Sequence, residues 1–403
     1  MKLKQFIIES STITHLTHLE DLILNGKLTE FKDIVDKITS TEVEITLKID
    51  GSPSIFVGRD TDGKIFVATK SIFNKTPRLY KTSTDLKDIS SNELTHKLDM
   101  ALSYLSLLDI PSLTVYQGDF LFIDSDLKKQ TINNKDYIIF TPNTITYAIS
   151  SDMPIYKKIL HAKVGIFFHT VYSLKRNNEQ FELTKVSGDK LKIFGTKIED
   201  DPNIFTLYPT LLNTKLKFTN KPEIFKILDT IRDVTFINKL KKDYPSLFNI
   251  VSMAVNAQLD RDDDGIFGRV KDDKDIRPDL FIDDLNSYIT TYLDREKEKL
   301  KTEKGKKSKD KLKEIYLNYL KLNNVNLKTF ILSYGKAIKI KYLILKNFNN
   351  IDMGLGYTFI KTKSDKYIQT TDEGFVVNTT SGIIKLIDRT EFSKYNRLYS
   401  RNK

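Results

Sequence analysis

The sequence predicts an α+β fold in which an antiparallel-sheet domain is interrupted by a mainly helical insertion. Three observations predict it. Strand-like segments with a period of two follow one another from Val43 at hairpin spacing, with no βαβ crossover at the start. From about Pro222 to Phe348 the apolar spacing becomes helical, and strand patterns then return.

In chain order, Leu16, Leu19, Leu22 and Ile23 predict a helix over Ser11–Gly26, with Gly26 as its C-cap, and a second short helix covers Leu28 to Ile38. EITLKID, SIFVGRD and KIFVATK read as strands, with Asp62-Gly63 turning the last two into a hairpin. A helix from Glu93 to Leu108 follows. LTVYQGDFLF, KDYIIFTP, NTITYAI and KVGIFFHTVY are then strands rich in β-branched and aromatic residues, extended by FELTKV and LKIFG. Leu240, Phe248, Ile250 and the stretch Leu312 to Leu322 mark the helical block; YTFIKTK, KYIQTT, GFVVN and GIIKLID close the chain as strands. The expected division is a helical segment over 1–40, a sheet domain over 41–215, a basic helical insertion over 216–350 and the rest of the sheet domain over 351–403.

The chain has 403 residues, 40% of them hydrophobic, enough for a sizeable core and too apolar for general disorder. Lys and Arg number 64 against 53 Asp and Glu, a net charge of +11, which makes nucleic acid or another polyanion the first partner to consider. The stretch Arg295 to Glu314 alone holds ten basic and five acidic residues, and reads either as a solvated helix or linker or as an arm facing nucleic acid. With no cysteine, disulfides, thiolate metal sites and cysteine nucleophiles are excluded. No apolar run approaches the roughly 18 to 20 residues that span a bilayer, and the opening MKLKQFIIESS has too short an apolar core for a secretory signal, so a soluble intracellular protein is expected. Heavy use of Lys, Ile and Asn hints at an AT-rich source such as a phage.

The chemistry centres on Lys48-Ile49-Asp50-Gly51, at the end of a predicted strand, with Ser52 and Pro53 turning the chain. A lysine here can attack phosphorus once its amine is neutral, which requires its pKa to fall from about 10.4 through nearby cations and desolvation. Alone, the four residues are better read as a hairpin lysine beside an ordinary Asp-Gly turn. They are followed in order by Gly118-Asp119-Phe120, Ile166-Phe167-Phe168, Glu373-Gly374-Phe375-Val376-Val377 and Ile383-Ile384-Lys385-Leu386, each on a predicted strand or its end.

This succession resembles the nucleotidyltransferase motifs of the ATP-dependent polynucleotide ligase and mRNA-capping superfamily. The resemblance implies that Lys48 takes up AMP covalently, with Asp50 and Gly51 completing its motif. It makes Asp119 the carboxylate serving ribose or metal and Glu373 a metal-linked carboxylate. It makes Phe168, with Phe167 as the alternate, the adenine platform, and Lys385 the holder of the α-phosphate. It also implies ATP and a divalent metal, Mg or Mn, as cofactors, and RNA or DNA ends as partners, with no membrane. Lys70 and Ser71 fall where the family often touches substrate. The departures are Asp119 for the usual glutamate, Ile387 for a second lysine with Arg389 nearby, and Ser52-Pro53, closer to some RNA ligases than to DNA ligases. Too few residues follow Lys385 for the OB-fold of DNA ligases and capping enzymes.

HLTHLEDLI, LKIDGSPSIFVG, ATKSIFNK and VYQGDFLF also resemble a family of tailed-phage proteins sharing the ligase-type lysine motif, which implies the host cytoplasm or a phage particle as location. The expected activity is an ATP-dependent nucleotidyltransferase more RNA-ligase-like than DNA-ligase-like. Two alternatives stay open: a virion or nucleic-acid-binding protein using the fold without turnover, and an adenylyltransferase acting on a protein or small molecule. Other signals read as ordinary structure. His15 and His18 lack a third ligand, and Asp260, Asp262, Asp264 and Gly265 start like a calcium loop that Lys271 spoils at its twelfth position. Gly354-Leu355-Gly356 and Gly335-Lys336 read as glycine turns.

Overall fold

Val43, Ile45 and Leu47 alternate with Glu44, Thr46 and Lys48, so this strand has one apolar face to bury and one polar face to present. The computed structural model describes residues 16–60, 62–74, 76–177, 180–186, 201–208, 212–214, 216–232, 234–259, 265–272, 276–348, 355–362 and 364–399. In it Val43–Lys48 lies inside a five-stranded sheet ordered Thr17–His18, Gly382–Ile387, Gly374–Thr379, Val43–Lys48 and Leu212–Thr214. All neighbours are antiparallel except the first pair, where Thr17 and His18 run parallel to Ile384 and Lys385. The helix expected over Ser11–Gly26 is therefore corrected. Among the described residues it shrinks to Asp21–Leu24, because Thr17 and His18 satisfy their backbone on the sheet edge. Gly26, at φ 73°, does end the turn.

A second sheet is ordered Gln180–Val186, Val164–Asn177, Thr114–Ile123, Ser54–Arg59 and Ile65–Ala68, with Ile204–Leu207 parallel to Val164–Asn177. Ser54–Arg59 and Ile65–Ala68 form the expected hairpin. The Asn92–Leu105 helix covers one face: its Leu98, Ala101 and Leu105 pack with Ile55, Val57, Tyr116 and Phe168. A third sheet, Tyr367–Gln369, Tyr357–Lys361, Thr146–Ser150, Lys135–Phe140 and Lys128–Ile132, joins strands from before and after the insertion. LKIFG lies outside the described residues.

The insertion supplies helices Lys221–Leu228, Thr235–Asp243, Pro245–Leu259, Pro278–Glu298, Glu303–Leu322 and Asn324–Phe348. Its apolar faces do not form a core of their own. Phe330, Tyr334, Ile340 and Phe348 belong to one buried cluster with Ile45, Phe375 and Leu386 of the first sheet. The same cluster takes in Phe31, Ile34, Val35 and Ile38, the apolar stripe of the Leu28–Ser40 helix. Gly335 and Lys336 sit inside the longest helix and form no turn; Gly335 is there because a Cβ would meet Ile276 Cδ1 at 2.1 Å. Among the described residues no helix is long and apolar enough to cross a membrane.

Candidate functional site

The polar face of the first sheet is set by register. Asn378 pairs with Glu44, Val376 with both Thr46 and Lys385, and Gly374 with Lys48, so Lys48 and Lys385 point to the same side of the sheet. Lys48 Nζ lies 2.9 Å from Glu373 Oε2, 325 residues away in the chain, and donates also to the Ile49 carbonyl at 2.8 Å. Their side chains are 23% and 15% exposed, covered enough to strengthen the pair and open enough to be reached. Burial works to lower the Lys48 pKa, but Glu373, Asp119 and Asp50 outweigh it and hold the ammonium above its ordinary value. Burial raises the Glu373 carboxyl, helped by Asp50 and opposed by Lys48. Both partners grip protons, Lys48 because carboxylates surround it and Glu373 because it is buried. Lys385 moves the other way, lowered by burial and then by the Lys48 charge. The lowered Lys48 pKa that attack requires is thus absent while Glu373 is its partner.

Asp119 faces this pair from the second sheet. Ser54 and Phe167 are its cross-strand neighbours, and a Cβ on Gly51 would meet Asp119 Cβ at 2.6 Å, so only glycine lets the turn after Lys48 close onto this strand. Burial would raise the Asp119 pKa, but hydrogen bonding and charge from His169, then Lys48 and Ser54, hold it below the usual range. His169 Nε2 is 3.5 Å from Asp119 Oδ2. The sequence reading missed this histidine; the signal was its position two residues after Phe167, on a strand whose alternation sends both to one face.

The adenine-platform assignment needs correction. Phe168 is paired with Gly118, fully buried beside Tyr116 and Tyr208, on the side of the sheet away from Asp119. Phe167, the alternate, shares Asp119's face with its ring 5.9 Å from that of His169, and is 5% exposed. Strand alternation decides between them.

Asp50 is an anchor. Its carboxylate accepts from Asn143 Nδ2 at 2.8 Å and from the Thr144 and Ile145 amides at 3.0 and 3.2 Å, while its own amide donates to Tyr147 Oη at 2.7 Å. Those bonds fix the Lys48 turn to the third sheet and leave Asp50 buried. Lys70 and Ser71 begin the short 3-10 turn Lys70–Phe73; Lys70 is exposed and the Ser71 hydroxyl shares a hydrogen bond with Thr69. Ile387 is 6% exposed. Arg389 does not replace the missing second lysine in the site: its guanidinium is held by Asp21 at 3.0 Å and Asn256 at 2.7 Å. His15 and Asp260, Asp262 and Asp264 lie outside the described residues, and Lys271 pairs with Asp388 at 2.5 Å.

The structure therefore brings together Lys48, Glu373, Asp119, Lys385 and Gly51, with His169 added, and places Phe168 elsewhere. Two carboxylates facing two amines suit a phosphate-bearing ligand better than a protein-only metal cage. Among the described residues no three His, Asp or Glu side chains converge to hold an ion. Asp119 and Glu373 fit a Mg-type ion that takes one or two carboxylates and completes its shell with phosphate oxygens and water. No curated protein and no solved structure matches the chain. One family model does match, over residues 13–401, and the chain belongs to that family of unknown function, DUF6267.

Proposed function

We propose that the protein is an ATP-dependent nucleotidyltransferase of the ligase adenylation type, transferring AMP through Lys48 to a nucleic-acid end, in the manner of RNA ligases more than DNA ligases. The observation that carries the reading is the Lys48–Glu373 contact at 2.9 Å with Asp119 and Lys385 around it. In the reaction the Nζ–P bond forms at the α-phosphorus as the bond to pyrophosphate breaks. The Lys48 proton must leave first. Glu373 is the acceptor in place, its basicity raised by burial, and the Lys385 cation favours the neutral amine while balancing charge on the α-phosphate. A divalent metal bound through Asp119 and Glu373 would supply further neutralisation of the phosphates.

The neighbouring helices Pro278–Glu298 and Glu303–Leu322 provide a grip on the nucleic-acid strand. Lys297, Lys299, Lys306 and Lys313 are paired with Asp310, Glu296, Glu303 and Asp294, whereas Lys304, Lys307 and Lys311 make no ion pair among the described residues and line up, exposed, on one face of their helix.

Incubation with α-labelled ATP and Mg or Mn is expected to give a labelled polypeptide that Lys48→Ala abolishes; label that then moves to 5′-phosphorylated RNA or DNA identifies the acceptor. No label at any metal or pH would overturn the reading. One observation favours binding without turnover: the second lysine position is occupied by buried Ile387, and Arg389 is turned away to Asp21 and Asn256. Nucleic-acid binding with no labelling would establish that alternative. Label chased only onto a polypeptide would establish an adenylyltransferase of proteins.

A further inference from the structure

His169 shares Asp119's face by strand alternation, and it sits at an irregularity. Along the Thr114–Ile123 strand the pairing runs Gln117 with Thr170 and then Gly118 with Phe168, so His169 is the extra residue of a β-bulge. Bulges re-aim a side chain at the cost of ladder hydrogen bonds, and they recur beside active sites. This one leaves the imidazole 26% exposed, with Nε2 3.5 Å from Asp119 and Nδ1 2.8 Å from Thr170 Oγ1. When the Thr170 hydroxyl donates to Nδ1, the ring proton resides on Nε2, the nitrogen facing the carboxylate. At 3.5 Å, Nε2 faces the carboxylate within ion-pair range but beyond the length of a formed hydrogen bond, so the pair has room to close.

We infer that His169 is a positioning residue for Asp119: through Nε2–H it holds the carboxylate oriented toward Lys48, so that the ribose or metal of bound nucleotide meets a fixed acceptor. Ser54, on the neighbouring strand, stands directly across from Asp119. The inference rests on the nucleotide-transfer reading, and it adds a residue that reading does not require.

Two substitutions separate orientation from packing. His169→Gln keeps an N–H donor at the Nε2 position, whereas His169→Phe keeps the ring beside Phe167 and loses the donor. Lysyl-AMP formation by His169→Phe is expected to fall about tenfold in kcat/KM, mainly through KM for ATP, the loss of one hydrogen bond to a charged acceptor. His169→Gln should stay within about threefold of wild type. The reverse order, equal losses, or wild-type behaviour of both variants would overturn the inference. A nitrogen-15 spectrum of the imidazole in nucleotide-free wild type supplies an independent readout. It should show the Nε2–H tautomer, and the Nδ1–H form would overturn the pairing. A wild type that never takes label would sink the nucleotide-transfer reading, while the spectrum would still judge the pair.

Discussion

Two charged clusters flank the end of one strand, and they handle charge in opposite ways. On one side Lys385 and Lys48 share a sheet face that Glu373 and Asp119 approach, and the Lys48, Glu373 and Asp119 side chains keep 15–23% exposure. Just past the strand's end, Arg389 joins Glu20, Asp21 and Lys341 against the helical insertion. There Lys341 Nζ lies 2.5 Å from Glu20 Oε1 at 3% and 0% side-chain exposure, and Tyr334 Oη donates to Asp21. Burial would raise Glu20, but Lys341, His18 and Arg389 outweigh it and bring its pKa down to about 2. The closed cluster ties the insertion to the sheet, with Glu20 lowered by its cations and Asp21 raised by burial and Glu20. In the open one, Glu373 is raised and Lys385 lowered, toward the range where protons move. A buried pair closed on all sides is a structural joint; a pair left open to one side is suited to chemistry.

That contrast can be broken first by charge removal. Lys341→Met leaves Glu20 buried without its main partner and is expected to cost about 3–5 kcal/mol in urea denaturation, whereas Lys48→Met, whose partner Glu373 keeps some contact with water, should cost less, about 1–2 kcal/mol. Equal effects would erase the distinction.

Next, Gly51→Ala sets a Cβ against Asp119 and the Phe120 carbonyl at 2.6 and 2.9 Å, which predicts up to about 3 kcal/mol of destabilisation and separation of Lys48 from Asp119. A melting temperature equal to wild type would show that the two strands part freely.

His18 tests the closed cluster by pH. Burial lowers its pKa to about 3, aided by Lys341, Arg389 and Lys385 and opposed by Glu20. The unfolded chain therefore binds a proton below about 6.5 that the folded chain refuses until about 3, so stability falls with acidification across that window. Between pH 7 and 5 the loss is about 2 kcal/mol, and His18→Gln should remove it; Glu20 loses its contribution only below about 4.5. An unchanged pH profile in His18→Gln would remove histidine from the joint.

The gentlest probe is the reactivity of the Lys48 amine. Glu373→Gln removes the leading charge that raises the Lys48 pKa, so modification of Lys48 by an amine reagent at pH 8 should speed up severalfold, read by peptide mass spectrometry. Slower modification would mean that Glu373 activates the resting amine.

Local periodicity located the Val43–Lys48 strand, the Ser54–Arg59 hairpin and most helices, because alternation and helical spacing record which face of each segment is buried. Lys48, Glu373 and Lys385 were singled out by the resemblance of their motifs to the ligase superfamily, not by period. Local pattern gave no hint that Thr17 and His18 would join a sheet edge contributed by residues more than 360 positions away. Nor did it show that Tyr357–Lys361 would pair with Thr146–Ser150 to make a third sheet. Pairing partners at such separations leave no trace in composition or period.

The amino-acid order by itself determined an α+β chain with a helical interruption, a strongly basic balance and a lysine set between a strand and an Asp-Gly turn. Tertiary structure alone decided that Phe168 faces the core, that Asp50 is an anchor and that Arg389 belongs to the joint with Glu20 and Asp21. It alone set His169 3.5 Å from Asp119, beside a bulge. The physical reason is that a side chain's role depends on which face it occupies and what lies across from it, and a single slipped residue in a strand exchanges one face for the other.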